Sequence, residues 1–146
     1  MKTISVQGNM GNGFAIEMTC GNHSVFIDQP RAAFGTDTGP SPLELVLAAL
    51  GGCLGTIARF VAHQRKIELR GMRFAIEADY DPAGLLGRDK SVRPGFEDVR
   101  LHVEIDADMS REEKWEFLEE VERRCPLVDN LLNGTRLHTT GWRPVT

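Results

Sequence analysis

Ser41-Pro42-Leu43-Glu44-Leu45-Val46-Leu47-Ala48-Ala49-Leu50-Gly51-Gly52-Cys53 decides the fold of this chain. Ser41 is a helix N-cap, Pro42 suits the first helical position, and Glu44 completes a capping box. The predicted helix runs to about residue 65. It is apolar nearly all round, so it needs cover on nearly all sides. One small chain can hardly supply that cover, and the pattern therefore predicts a homodimer. The uncharged run Leu45 to Ala58 is shorter than the ~20 residues that span a bilayer, so no membrane span is expected.

Three short strands are expected upstream, at residues 2–8, 13–20 and 23–28. Gly8 to Gly13 and Gly21-Asn22 read as the turns between them. Residues 29–40 are too rich in Gly and Pro for an element. Downstream, residues 70–80 and 99–106 alternate apolar and polar side chains, the mark of half-buried antiparallel strands. Asp81 to Gly95 reads as a loop between them. Ser110 with Glu113 is a second capping box. It opens a helix that carries Trp115, Leu118 and Val121 to Arg123-Arg124. Cys125-Pro126 ends that helix and starts a short one, which stops near Asn133-Gly134. A final strand is expected around Thr135 to Trp142. No linker or repeat divides the chain, so residues 1–146 are read as a single α+β domain.

Composition narrows the function. Hydrophobic residues at 41%, charged residues at 26% and a net charge of −4 describe an ordinary soluble protein. The acidic balance argues against a nucleic-acid partner, since phosphate binding needs a basic face. Three cysteines do not suit a secreted disulfide scaffold, and Met1 to Val6 has no signal-peptide pattern. A cytoplasmic protein with reduced thiols is expected. His23, His63, His102 and His138 are scattered, with no metal-ligand spacing, so no metal is expected.

The cysteines carry the chemistry. Helical spacing places Val46, Ala49, Leu50, Ile57 and Phe60 within about 60° of Cys53. On that apolar face a cysteine can be a small buried hydrophobe. The glycines Gly51, Gly52 and Gly55 weaken the helix, which points to close approach by a packed helix or a substrate. Cys125, just before Pro126, occupies a helix start where backbone N–H groups favour a thiolate. Arg124 adds positive charge. Cys20 reads as a bystander at a strand end.

The helix motif Ser-Pro-x-Glu-Leu-x-Leu-Ala-Ala-x-Gly-Gly-Cys, followed about seventy residues on by Arg-Arg-Cys-Pro, resembles the OsmC/Ohr superfamily. These are the osmotically inducible and organic hydroperoxide resistance proteins. The resemblance covers nearly the whole chain, including Arg93-Pro94-Gly95-Phe96. It implies antiparallel sheets packed on a long central helix, an intertwined homodimer, and sites built between subunits. It implies that Cys53 attacks a hydroperoxide and Cys125 resolves the product. An external dithiol would restore both, with no bound cofactor. The peroxidases place an active-site Glu directly after the helix-starting proline; Leu43 stands there in this chain. Glu44 lies nine positions before Cys53, about 900° of rotation, and so points away from it. The family Arg of the early hairpin is also missing; Arg31, Arg59 or Arg124 would have to substitute. The readings carried forward are a thiol peroxidase, with Cys53 and Cys125 catalytic and Arg31, Arg124 and Glu44 supporting, and a non-catalytic dimeric protein binding a small apolar ligand.

Overall fold

The computed structural model describes residues 1–139. It is a mixed α+β fold with antiparallel sheets and one long helix. The elements in order are β1 (Gln7–Met10), β2 (Ile16–Cys20), β3 (His23–Ile27), α1 (Pro42–Arg65), β4 (Leu69–Asp79), α2 (Pro82–Leu85), β5 (Asp98–Ala107), α3 (Arg111–Arg124) and α4 (Pro126–Leu132). Two compact units divide them. The first comprises Met1–Ala49 and Ile76–Leu101, the second Leu50–Ala75 and the chain from His102 onward.

In the first unit, β1, β2 and β3 form an antiparallel sheet in sequence order. The first strand falls later than the sequence predicts. Asn9 and Met10, expected in a turn, pair with Glu17 and Ile16. Gly8 is a strand residue opposite Met18, and a Cβ on it would stand 2.1 Å from the Met18 sulfur. The glycine thus makes room for a cross-strand side chain instead of turning the chain. The turn after β2 uses Gly21 at φ 62°, as glycine allows.

The loop after β3 is organised by one buried carboxylate. Asp28 is 1% exposed. It accepts bonds from the Gln29 N–H, from both N–H and hydroxyl of Thr36, and from both N–H and hydroxyl of Thr38. These bonds hold its carboxyl far below the usual carboxylate range, the Thr36 hydroxyl foremost. Backbone packs tightly around it: a Cβ on Gly35 would meet the Gln29 carbonyl at 1.9 Å, and one on Gly39 the Phe26 carbonyl at 2.1 Å. The loop delivers the chain to the cap of α1, where the Ser41 N–H donates to Glu44 at 2.7 Å and the Glu44 N–H donates to the Ser41 hydroxyl at 3.3 Å.

Strands β4 and β5 are neighbours in a two-stranded sheet. Their antiparallel course is marked by exposed ion pairs that link Arg70 to Asp106, Arg73 to Glu104, and Arg100 to Glu77 and Asp79. Met72, Phe74, Ile76 and Ala78 are half-buried, as their alternation predicts, whereas Tyr80 is exposed. The expected loop from Asp81 contains a helical turn, α2, that the sequence reading missed. The Asp81 side chain caps it by accepting the Ala83 N–H at 2.9 Å.

In the second unit α3 starts on the predicted capping box, and Ser110 and Glu113 exchange bonds at 2.8 and 3.1 Å. Among the described residues every buried apolar side chain belongs to this unit: Leu50, Leu54, Ala58, Val61 and Ala62 of α1, Leu69, Ala107, Phe117, Val121 and Cys125. Helix α1, at 24 residues, is long and apolar enough by length and composition to cross a membrane. The uncharged run Leu45 to Ala58 is only part of that length, and Phe60, Val61 and Ala62 extend it past Arg59. Of the expected C-terminal strand, residues 135–139 are irregular, and the rest lies outside the described residues.

Candidate functional site

Two helices of the second unit bring two thiols together. Cys53 lies in α1, beyond the glycine pair. Cys125 sits where α3 meets α4, with φ −78° and ψ 115°, the extended geometry that a following proline imposes. Its N–H donates to the Glu122 carbonyl, and its carbonyl accepts from Asp129, each at 3.1 Å. The backbone on both sides of Cys125 is therefore fixed by helical bonds. Its thiol lies 3.1 Å from the Cys53 sulfur. Both cysteines are free thiols, Cys125 fully buried and Cys53 half-buried.

The sequence places Cys125 at the start of α4. No side-chain cap bond is made there by Cys125. The Leu127 N–H, in the first turn of α4, is directed at Cys53 and pulls that thiol downward. Burial and the Cys125 thiol outweigh it, and the Cys53 thiol is raised overall. The helix start thus acts on the cysteine across the gap. A backbone donor leaves no trace in a sequence, so this contribution was not legible beforehand.

The other expected residues have definite occupations. Glu44 serves the cap of α1. Arg124 donates to Gln64 at 2.8 Å and lies 3.5 Å from Glu120. Arg59 donates to the Leu69 carbonyl. Arg31 is exposed in a single 3-10 turn, Arg31–Ala33, of the first unit. Cys20 ends β2, half-buried and paired in register with His23. Among the described residues no three His, Cys, Asp or Glu side chains cluster to hold a metal ion. The sequence reading overlooked Asp28, whose signal was a pair of threonines, Thr36 and Thr38, flanked by Gly35 and Gly39 in a loop.

The family model for OsmC-like protein matches residues 35–140, which include both cysteine motifs. The chain belongs to the OsmC-like family. Solved structures share its fold. An OsmC-like protein from Mycoplasma pneumoniae is 20% identical, with a TM-score of 0.78 over 91% of this chain and 89% of its own. An organic hydroperoxide resistance protein OsmC from Legionella pneumophila is 22% identical, with a TM-score of 0.67 over 92% and 91%. The organic hydroperoxide resistance protein OhrB of Bacillus subtilis is also 22% identical, with a TM-score of 0.61 over 91% and 93%. No curated protein matches the chain. Within the OsmC-like fold, α1 is read as a core helix, with Leu50, Leu54, Ala58 and Val61 on its buried face.

Proposed function

We propose that this OsmC-like protein is a thiol-dependent peroxidase that reduces organic hydroperoxides. The observation that carries the reading is the 3.1 Å separation of the Cys53 and Cys125 sulfurs, contributed from positions 72 residues apart. The Cys53 thiolate attacks the outer peroxide oxygen, the O–O bond breaks, and the alcohol leaves with a proton. Cys53 becomes a sulfenic acid. The Cys125 thiol then displaces water from it, forming a disulfide. An external dithiol returns both thiols by exchange, and no bound cofactor takes part. Accessibility supports this division of roles, because peroxide can reach a half-buried sulfur more readily than one with no exposed surface. The names of the Legionella and Bacillus relatives point to the same substrate class.

The active form in this reading is a cytoplasmic homodimer with no nucleic-acid or membrane partner. The first unit supports the dimer: none of its described apolar side chains is buried, so its faces await cover.

A second reading is a non-catalytic dimeric protein that binds a small apolar ligand. The raised Cys53 thiol favours it, as do Arg59 and Arg124, whose bonds go to Leu69 and Gln64 and not to sulfur. Thiol titration before and after one equivalent of cumene hydroperoxide separates the two. A peroxidase loses two thiols per chain within the mixing time. Retention of all three thiols alongside saturable binding of an apolar dye selects the second reading.

A further inference from the structure

Gln64 follows Cys53 on α1 by about 1,100° of helical rotation, close to three full turns. The two side chains therefore share one face, about 16 Å apart along the axis. The end of α3 meets that face twice. The Cys125 thiol lies 3.1 Å from the Cys53 sulfur. The Arg124 guanidinium donates from Nη1 to the Gln64 side-chain oxygen at 2.8 Å. The same nitrogen lies 3.5 Å from Glu120, an ion pair at i, i+4 spacing that helps hold the long side chain in place. All of these residues belong to the second unit, and every contact is made within one chain. A single contact fixes a distance and leaves the last turn of α3 free to rotate about it. A second contact, three turns along α1, removes that rotation. Cys125 is tied to α3 and α4 by its backbone bonds, so its place against α1 follows where the end of α3 is held.

We propose that Gln64 is a positioning residue for the thiol pair: by accepting the Arg124 guanidinium it holds the end of α3 on α1 and keeps Cys125 within reach of Cys53. The inference rests on the disulfide of the peroxidase reading and adds what makes that bond easy to form. Two sulfurs already held together lose little freedom when they join. The coupling is reciprocal. To whatever extent the Arg124–Gln64 bond favours the disulfide, the disulfide favours that bond. Gln64 is three turns from Cys53 and out of reach of its sulfur. Its effect therefore falls on the balance between dithiol and disulfide, and not on the attack of Cys53 on a peroxide. The donor of the bond is charged and the acceptor is neutral, so a carboxylate in place of the amide would keep the bond and add an ion pair.

The test equilibrates full-length protein, with Cys20→Ser to remove the third thiol, against mixtures of reduced and oxidised glutathione. Oxidised glutathione takes two electrons and two protons from the thiol pair and leaves as two glutathione thiols, while the Cys53–Cys125 bond forms. No peroxide is needed, and the equilibrium constant reads the pair directly. Gln64→Met keeps the bulk and deletes the acceptor, and should lower that constant about fivefold, the worth of one hydrogen bond. Gln64→Glu supplies an acceptor again and should hold the constant at or above the wild-type value. In an Arg124→Met background, where the donor is gone, Gln64→Met should add nothing further. Thermal unfolding of the reduced proteins is measured alongside. A lowered melting temperature for Gln64→Met with an unchanged glutathione equilibrium would make the contact merely structural and overturn the proposal. Equal losses for Gln64→Met and Gln64→Glu would overturn it too. Failure of oxidised glutathione to form any Cys53–Cys125 disulfide would remove both this inference and the peroxidase cycle. The expected shifts, in a protein that consumes no cumene hydroperoxide, would uphold the inference and sink the peroxidase reading alone. Rapid consumption of cumene hydroperoxide without those shifts would do the reverse.

Discussion

The Glu44 carboxylate accepts the backbone N–H of Ser41 at 2.7 Å, which closes the N-terminal turn of the helix that carries Cys53. The bond also holds the Glu44 carboxyl below its ordinary value, the Ser41 backbone contributing most. Its role is to start the helix. Glu44→Gln keeps an acceptor at the third helical position and should leave any peroxide rate within a few-fold. Ser41→Ala, which deletes the reciprocal acceptor, should cost about 1 kcal/mol of stability in urea unfolding. A hundredfold fall in rate for a folded Glu44→Gln protein would mean that the carboxylate takes part in the chemistry.

The two thiols should fail in different ways. Cys53→Ser should abolish peroxide consumption, because a hydroxyl is far less nucleophilic at neutral pH. Cys125→Ser should permit one round of oxidation and leave a sulfenic acid on Cys53 that dimedone traps, with recycling lost. Dimedone adducts mapped by mass spectrometry check both outcomes. A sulfenic acid on Cys125 in the Cys53→Ser protein, with turnover retained, would reverse the roles.

The pH dependence of Cys53 has a definite sign. Burial, and next the Cys125 thiol, raise it above the ordinary value of about 8.5. Its alkylation by iodoacetamide should therefore keep accelerating with pH beyond that point. Cys125→Ala removes the second cause and leaves the first, so its profile should move to lower pH. A wild-type inflection near neutrality would contradict the burial argument.

Asp28 makes stability depend on acid. Its folded carboxyl is depressed below the unfolded value of about 4, so its contribution is complete above that pH. It is lost as the pH falls toward the folded value. Asp28→Asn should unfold at lower denaturant than wild type at pH 7, because an amide cannot accept all five bonds. The gap between the two proteins should narrow at pH 3. A gap unchanged between the two pH values would show that the carboxylate's charge is irrelevant to the loop.

Sedimentation should find a dimer at all workable concentrations. Val46 and Phe60 of α1 and Trp115 of α3 are exposed in the single chain, at 41%, 55% and 58%. Covering such faces calls for an apolar interface of the obligate class, above about 2,000 Å². A folded, stable monomer would remove this expectation.

Much of the architecture was legible because local signals agreed with the global pattern. The capping boxes at Ser41 and Ser110 gave both long helices their starting points, and alternation gave β4 and β5 within a residue at each end. The short elements were less legible. Gly8 looked like a turn residue because its need was a neighbour's bulk, the Met18 side chain, and not its own backbone. Within the site, residue types named both cysteines, and only the fold placed their sulfurs in contact. That the start of α4 would also act on Cys53 was not legible. The Leu127 N–H acts on a sulfur from another helix, and sequence distance carries no record of that.

The apolar length of α1 bears on how the chain is made. The helix leaves the ribosome well before Phe117, Val121 and Cys125, the later members of the core it belongs to. At roughly 5–20 residues per second, several seconds pass in which a segment apolar enough to cross a bilayer has no tertiary cover. Throughout that interval the helix lacks the side chains that bury Leu50, Leu54, Ala58 and Val61 in the folded chain, so completion of the last two helices is what ends its exposure.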